Sequence, residues 1–352
     1  MSGGVDSSVT AALMVEQGED VVAISMRLYA EAPRSDRSCC SPDDLFDARS
    51  VAARLDIPFY VANYVEDFRD RVIDHFVDEY RRGRTPNPCV ACNNHLKFEV
   101  LLSRTRALGG QWLATGHYAR IERGEDGTAR LLRGVDPDKD QSYFLFGIPR
   151  QALPDIRFPL GGLTKPEVRA IAERLGLPTA SKPESQEICF VVGESYYDFV
   201  RARLADEDLS PGTIELEDGT VLGLHDGIHR FTVGQRKGLG IAWPEPLYVL
   251  RVLAGSHKVI VGPRRGLDAR GLEAERCNWL SFPALREPLE ALVQIRYRAR
   301  PVAARITPLD PEGRSVRVEF AEPQRAVAPG QAAVFYQGDE VLGGGTIETP
   351  LW

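Results

Sequence analysis

The segment Ser2-Gly3-Gly4-Val5-Asp6-Ser7-Ser8, followed at once by a helical pattern, constrains this chain more than any other stretch. Two adjacent glycines let backbone N–H groups crowd around an anion, and the serine hydroxyls add further donors. Val9, Ala12 and Leu13 then share one face of Ser8–Gln17, and Gly18 stops the helix. A helix starting there points the positive end of its dipole at the loop, which favours phosphate. No Gly-Lys-Ser/Thr follows, so this is not a Walker-type loop. The plain alternative is a Gly-Ser turn ahead of a helix. A phosphate loop ordinarily follows a strand that positions it, and none precedes Ser2 in this sequence.

The next stretches alternate in kind. Val21–Leu28 and Phe59–Ala62 read as buried strands, and Trp112–Thr115 as a short one ending at Gly116. Asp43–Leu55, Val65–Tyr80, Phe98–Leu108 and Lys165–Leu175 carry helical spacing, with Phe68, Val72, Phe76 and Tyr80 four apart. That alternation predicts an α/β domain: a doubly wound, mostly parallel sheet with helices on both faces. After about Arg203 the pattern changes to short strands such as Thr213–Leu216, Thr220–Leu222, Leu247–Leu253 and Lys258–Val261. Leu292–Tyr297, Ala303–Pro308, Val316–Phe320 and Ala332–Tyr336 continue in that style, between Asp-Gly, Gly and Pro turns. A chain of 352 residues exceeds one ordinary domain. The expected division is an α/β domain over 1–203, a small central β domain over 204–266 and a C-terminal β domain over 267–352.

No apolar run approaches the ~20 residues of a membrane helix, and the N-terminal residues are not a signal peptide. A cytoplasmic location is expected. In a reducing compartment the six cysteines, Cys39, Cys40, Cys89, Cys92, Cys189 and Cys277, are nucleophiles, redox thiols or ligands rather than a disulfide framework. Cys89 and Cys92 lie in Gly83-Arg84-Thr85-Pro86-Asn87-Pro88-Cys89-Val90-Ala91-Cys92-Asn93, where the prolines predict a rigid exposed loop. Cys-x-x-Cys is also half a zinc site, with His95 as a third ligand, although no second pair completes it. Cys189, in Ser185-Gln186-Glu187-Ile188-Cys189-Phe190, would alone read as a small buried hydrophobe.

A formal net charge of −7 argues mildly against nucleic-acid binding, since phosphate contacts need Lys and Arg. Arginines nevertheless bunch, at Arg69, Arg71, Arg81, Arg82 and Arg84 and again at Arg296, Arg298, Arg300 and Arg305. Such bunches are solvated faces or local basic surfaces.

The pattern Ser-Gly-Gly-x-Asp-Ser resembles the loop of ATP pyrophosphatases, which cleave ATP between its α and β phosphates. Ser2–Ser8, Thr85–Phe98, Ala114–Tyr118, Lys139–Leu145 and Ser185–Phe190 together resemble the tRNA-uridine 2-sulfurtransferases, the tRNA-specific 2-thiouridylases of the MnmA/TrmU type. Thr232–Gly240, Ile295–Arg298, Pro329–Tyr336 and Leu342–Ile347 extend the match through the C-terminal half.

The resemblance implies an ATP-pyrophosphatase (PP-loop) domain, a small β domain and a C-terminal tRNA-binding β-barrel. It implies adenylation of O2 of the wobble uridine in Glu, Gln and Lys tRNAs, then sulfur transfer. By matching motif, ATP would meet Met1, Ser2, Gly3, Gly4, Val5, Asp6, Ser7, Ser8, Met26 and Gly116, and Asn87, Pro88 and Cys89 would face the target base. Cys92 falls at the nucleophile position and Cys189 at the persulfide position, with a Cys92–Cys189 disulfide left after transfer. His117, Lys139, Asp140, Gln141, Arg296, Tyr297 and Gln331 fall at tRNA-contact positions on the anticodon stem-loop. ATP and Mg2+ are the implied cofactors. The implied partners are tRNA and a sulfur-donor protein, either a cysteine desulfurase or a sulfur relay; no membrane is involved.

Some relatives have Asp where this chain has Cys89. Three thiols, Cys89, Cys92 and Cys189, offer a second scheme in which they hold a 4Fe–4S cluster with one open iron. Cys277 reads as structural, and Cys39 and Cys40 as incidental. Two other readings compete. A PP-loop enzyme acting on a small molecule would share the loop but need neither Cys92 nor Cys189. An iron–sulfur or zinc RNA-binding module would have no use for the nucleotide loop.

Overall fold

The computed structural model describes residues 1–29, 42–125, 127–183, 188–191 and 193–352, so Cys39, Cys40 and Ser185-Gln186-Glu187 lie outside the described residues. The chain forms two compact units. One is Met1–Val72 with Cys89–Gly193 and Asp339–Val341, the other Ile73–Pro88 with Glu194–Gly338 and Leu342–Trp352.

The first unit begins with α1 (Val5–Glu16), β1 (Ala23–Arg27), α2 (Pro42–Arg54), β2 (Phe59–Asn63) and α3 (Val65–Phe68). The helical pattern expected over Val65–Tyr80 is present but not uniform. α3 gives way to a π-helical turn at Arg69–Ile73, and α4 (Asp74–Arg81) follows in the second unit. Next come α5 (Pro88–Ala91), a π-helix over Cys92–Leu101, α6 (Leu102–Ala107), β3 (Leu113–Ala114), β4 (Ala119–Arg123), β5 (Ala129–Arg133), β6 (Ile156–Arg157) and α7 (Lys165–Arg174). The strand pairs β1–β2 and β3–β6 are parallel, as the β–α alternation requires. On α1, Val5, Val9 and Ala12 form the apolar stripe that packs with Val51, Val168, Ala172 and Leu177. Helix α7 is started by Glu167, whose carboxylate accepts from both the N–H and the hydroxyl of Thr164 at 2.7 Å. Met1 is tied to β1: its amine donates to the Ile24 carbonyl, and Ser25 Oγ donates to the Met1 carbonyl at 2.5 Å.

Two departures from the sequence reading bear on the site. Cys89 and Cys92 stand on a helix, not on a loop. Pro88 opens α5, where a missing N–H costs nothing because the first helical residues have no partner within the helix. The hairpin β4–β5, paired from Ala119↔Arg133 to Arg123↔Ala129, carries alternating charge rather than an apolar run and gave little strand signal.

The second unit adds α8 (Tyr196–Arg201) and a four-stranded sheet of β7 (Gly212–Leu216), β8 (Val221–His225), β9 (Tyr248–Leu253) and β10 (Lys258–Gly262), in the order β8-β7-β10-β9. Ile214, Val249, Val259 and Val261 fill its core with Ile228 and Phe231. Its last part is a closed six-stranded barrel: β11 (Asp268–Trp279), β12 (Leu289–Gln294), β13 (Val302–Pro308), β14 (Val316–Arg325), β15 (Ala332–Gln337) and β16 (Glu340–Leu351). Their order is β11-β14-β13-β12-β15-β16, and β11 pairs back on β16 from Gly271↔Leu351 to Trp279↔Gly343. Leu272, Val293, Ile306, Val316, Val318 and Phe335 fill the barrel, with Trp279 stacked 5.3 Å from Phe335. Cys277 packs against this core, and burial pushes its thiol up to about 12, which keeps it protonated and inert. β12 ends at Gln294 rather than continuing to Tyr297. Gln294 Nε2 donates to the carbonyls of Arg296 (3.0 Å) and Tyr297 (2.7 Å) and turns the chain there.

Candidate active site

The nucleotide loop is built from close backbone approach. Gly3 has φ +71°, and a Cβ there would sit 2.2 Å from the Asp44 carbonyl oxygen. Gly116 follows β3, and a Cβ on it would lie 2.8 Å from the carbonyl carbon of Asp6 and 3.0 Å from the Ser7 nitrogen. Two distant glycines therefore let α2 and the β3 segment press against the loop from either end. Gly4 caps α1 in an extended conformation with no side-chain bond to the first turn, which leaves those N–H groups for an anion. Ser2 Oγ and Ser2 N both donate to Ser7 Oγ (3.2 and 3.1 Å), and Ser7 Oγ donates to the Gly4 carbonyl at 3.0 Å.

Asp6 is the junction. Lys165 Nζ, from the first turn of α7, lies 2.7 Å from Asp6 Oδ1, and Tyr118 Oη donates to the same oxygen at 2.8 Å. The Lys165 side chain is 9% exposed and that of Asp6 33%, so the ammonium is held inside while the carboxylate still reaches solvent. The backbone N–H of Lys165 donates to Asp136 Oδ2 at 2.9 Å. Asp136 also accepts from Asp138 N, and its carbonyl from the N–H groups of Lys139 and Asp140. One network thus joins the loop to the Lys139-Asp140-Gln141 segment. Asp140 takes Arg133 Nη1 (2.9 Å), Gly134 N and Ser142 N and Oγ. Gln141 Oε1 accepts from Tyr118 N at 3.1 Å. The side chains of Asp140 and Gln141 are therefore committed to internal bonds here.

The sulfur-bearing residues sit in the same unit. Cys89 is exposed, and Cys92 and Cys189 are half-buried. Asn93, next to Cys92, is buried and donates to the Phe144 carbonyl at 3.1 Å, while Asn94 fills the space a Cβ on Gly147 would need. Those two contacts bolt the π-helix to the 144–147 segment. Tyr29 Oη lies 3.5 Å from Cys189 Sγ, and the Tyr29, Phe68 and Phe190 rings meet edge-on at 5.3 and 5.8 Å. Met26, half-buried on β1, pairs in register with Ala62.

His117 is buried between Phe98 and Phe158, with ring centroids 5.9 and 5.7 Å away. Lys97 Nζ lies 3.2 Å from its Nε2 and Thr115 Oγ1 2.7 Å from its Nδ1. An ammonium can only donate, so Nε2 accepts and the proton resides on Nδ1. Burial, and then the Lys97 charge, hold the His117 pKa well below its ordinary value, so the imidazole is neutral.

In the second unit, Asn87 is half-buried and Pro88 buried. The two arginine groups behave differently. Arg81 and Arg82 both pair with Asp78 (2.7 and 2.8 Å), and Arg84 is half-buried against Glu79 and Glu348, so that group is neutralised by its own neighbours. Arg296, Arg298 and Arg300 project exposed from the turn after β12, with no carboxylate partner among the described residues. Arg296 Nη2 donates to the Arg325 carbonyl at 2.9 Å. Tyr297 is half-buried beside it. Gln331 Nε2 donates to the Thr85 and Pro86 carbonyls at 2.8 and 3.4 Å. In Gly-Gln-Arg-Lys-Gly, Gln235 closes a turn on Thr232 and Lys237, and Arg236 and Lys237 stand exposed at its tip.

The loop, with its close backbone approach and uncapped helix start, fits a nucleotide phosphate chain. A three-thiolate cluster does not fit. Among the described residues no three His, Cys, Asp or Glu side chains come together as a ligand set, which also sets aside zinc at Cys89, Cys92 and His95. His95 instead pairs with Glu99 at 3.2 Å. Lys165, Tyr118, Lys97 and Tyr29 were missed by the sequence reading. The helix start at Lys165 was the one available signal, since a lysine there is disfavoured by the helix dipole. Among the described residues no helix is long and apolar enough to cross a membrane.

Comparison with known proteins agrees along the whole chain. Residues 1–193 match the tRNA methyl transferase HUP domain, 197–263 the tRNA methyl transferase PRC-barrel domain and 269–347 the aminomethyltransferase beta-barrel domain. The chain is 55% identical to the tRNA-specific 2-thiouridylase MnmA of Geobacter metallireducens, covering 100% of this chain and 96% of that protein. It is 54% identical to the protein of the same name from Geotalea uraniireducens (99% and 93% covered) and 48% to that from Heliobacterium modesticaldum (99% and 91%).

Two outcomes follow from this geometry. Gly116→Ala should force Asp6 and Ser7 apart from β3 and weaken ATP binding at least about ten-fold, a cost of about 1.4 kcal/mol, with circular dichroism unchanged; unaltered ATP affinity by calorimetry would contradict the loop assignment. His117 has a depressed folded pKa, so below its ordinary 6.5 the unfolded chain takes up a proton that the folded one refuses. Stability from this group is therefore lost as pH falls through 6.5, by up to about 1.4 kcal/mol per pH unit. His117→Gln should remove that share of the slope in urea titrations between pH 6.5 and pH 5, and equal slopes would show that His117 is not held neutral.

Proposed function

The chain belongs to the tRNA-specific 2-thiouridylase family, and from that premise we propose that it uses ATP to replace the C2 oxygen of the wobble uridine in Glu, Gln and Lys tRNAs with sulfur. The observation that carries this is the Asp6 junction: a phosphate-cradling loop, clamped by Lys165 and Tyr118, in the same unit as Cys92 and Cys189.

The loop would hold the β and γ phosphates and leave the α-phosphorus open. Uridine O2 attacks it, forming an O–P bond as the bond to pyrophosphate breaks. This converts a poor leaving group into AMP. Lys165 stands 2.7 Å from Asp6 and supplies the cation that the loop itself lacks, positioned by its backbone bond to Asp136. Asp6 is the residue that would hold magnesium bound with the nucleotide, and that ion would offset phosphate charge.

Sulfur then attacks C2 and AMP departs with the former base oxygen. Cys189 carries that sulfur as a persulfide, loaded by a donor protein of the desulfurase or relay type. Tyr29, 3.5 Å away, donates to its Sγ and orients it. The Cys92 thiolate attacks the Cys189 sulfur, the S–S bond to the transferred sulfur breaks, and a Cys92–Cys189 disulfide results. A dithiol reductant must reopen it before the next turnover. The target base would leave its stack to reach the Asn87-Pro88-Cys89 segment. The exposed Arg296, Arg298 and Arg300 are the basic surface that fits tRNA phosphates.

Cys92→Ser and Cys189→Ser should each abolish 2-thiouridine formation while AMP is still transferred to tRNA; near-normal thiolation by either variant would sink the assignment. In tRNA-binding titrations, Arg298→Ala and Arg300→Ala should each lower the salt slope by about one unit, as a lost phosphate contact does. Arg81→Ala and Arg82→Ala should leave it unchanged because Asp78, shared by both, and Asp208, 3.8 Å from Arg81, offset their charge. The opposite ranking would place the RNA on the other arginine group.

A further inference from the structure

The segment Arg84-Thr85-Pro86, which runs into the thiol-bearing helix, is held by α4 and by the C-terminal barrel. Arg84 Nε donates to Glu79 Oε2 at 2.7 Å, and its two terminal nitrogens fork onto Glu348 of β16, one at 2.9 Å. Glu348 is itself fixed by Arg276 Nη2 at 2.9 Å. Thr85 N donates to the Pro329 carbonyl at 2.8 Å, and Gln331 Nε2 donates to the carbonyls of Thr85 and Pro86. Gln331 is in turn held by Ile347 N, which donates to its carbonyl at 2.8 Å. Gly330, at φ +90°, lets this happen, since a Cβ there would lie 3.0 Å from both Thr85 N and Thr85 O.

Such a grip has a physical reason. Pro86 and Pro88 lack N–H groups, so this stretch cannot join a ladder or a helix of its own before α5 begins. Its carbonyls need outside donors, and a side-chain amide is the group that provides two. Glu79 is 4% exposed and Arg84 and Glu348 are half-buried, so the buried carboxylate must stay paired. Beyond Pro88 the backbone is helical, and Cys92 stands one turn on. A helix is stiff over one turn, so whatever fixes Thr85 and Pro86 fixes the origin of the helix that carries Cys92.

We propose that Gln331, with Arg84, Glu79 and Glu348, is the positioning element for the start of the Cys92 helix: the clasp fixes Thr85 and Pro86, from which the chain runs on into that helix, without touching the reacting atoms. The amide of Gln331 acts on the protein's own backbone and not primarily on RNA. The activity readout rests on the sulfur transfer proposed above; the thiol readout does not.

The experiment compares wild type with Gln331→Met, which keeps the shape and loses the donor, and Arg84→Lys, which keeps charge and loses the fork. Iodoacetamide labelling of tRNA-free protein, followed by peptide mass spectrometry, reads Cys92 directly. Losing one such bond should raise Cys92 labelling about five-fold through local opening. Amide exchange over Thr85–Ala91 should quicken in step, and Cys277 labelling should not change. At saturating tRNA, thiolation kcat should fall about ten-fold, with tRNA Kd and the single-turnover rate of tRNA adenylation within two-fold or so of wild type. Unchanged Cys92 labelling in both variants, or a loss confined to tRNA Kd, would overturn the clasp and make Gln331 an RNA contact. If wild type makes no thiouridine at all, the functional reading fails, and the labelling and exchange results still decide the clasp. If Gln331→Met does not fold, Arg84→Lys carries the same comparison.

Discussion

The Asp6 carboxylate takes a buried ammonium and a phenol on one oxygen, and the first unit is arranged around that contact. Lys165 comes from the start of α7, Tyr118 from the segment after β3, and Asp6 from the first turn of α1. Removing any one strands a charged or polar group in a partly desolvated place, where leaving it unmatched costs more than the bond itself contributes. The same lysine holds Asp136 through its backbone, and Asp136 shapes the segment that ends in Gln141. Gln141 then returns to the Tyr118 N–H and closes the circuit. A loop that must receive a highly charged substrate is thereby kept in one geometry before the substrate arrives, which is what electrostatic catalysis requires.

What was legible in the sequence is what local pattern encodes. The Ser2–Ser8 segment, its helix and the β–α alternation depend on neighbours in the chain and are present, although the helix expected from Ser8 already begins at Val5. Lys165 was not legible as a site residue, because its partner is 159 positions away and nothing beside it reports that distance. The cysteine segment was misread for a related reason. Proline argues equally for a loop and for the first turn of a helix, and only the bolts at Asn93 and Asn94 decide in favour of the helix. Charge was the least reliable guide. Arg84 reads as an RNA-binding residue until Glu79 and Glu348 are found on either side of it, one of them from the far end of the chain.

Two kinds of constraint therefore meet at the thiol helix. Asn93 fastens it within the first unit, and the barrel residues hold the segment that leads into it. The half-buried carboxylate–arginine fork makes that second hold directional, because a forked pair fixes orientation as well as distance. The tryptophan-stacked core of the barrel gives the hold a rigid base. The Asp6 junction and the thiol helix are thus held by separate sets of bonds, so in the proposed reaction each half can be impaired without the other.

The central claim is that the base oxygen itself is adenylated. The direct measurement uses tRNA carrying 18O at C2 of the wobble uridine, with ATP, a persulfide donor and purified protein, followed by mass spectrometry of the nucleotide products. The account predicts that 18O leaves in AMP, one labelled AMP for each 2-thiouridine formed. Label that stays in the tRNA or is released as water, or turnover that yields ADP and phosphate, would contradict it.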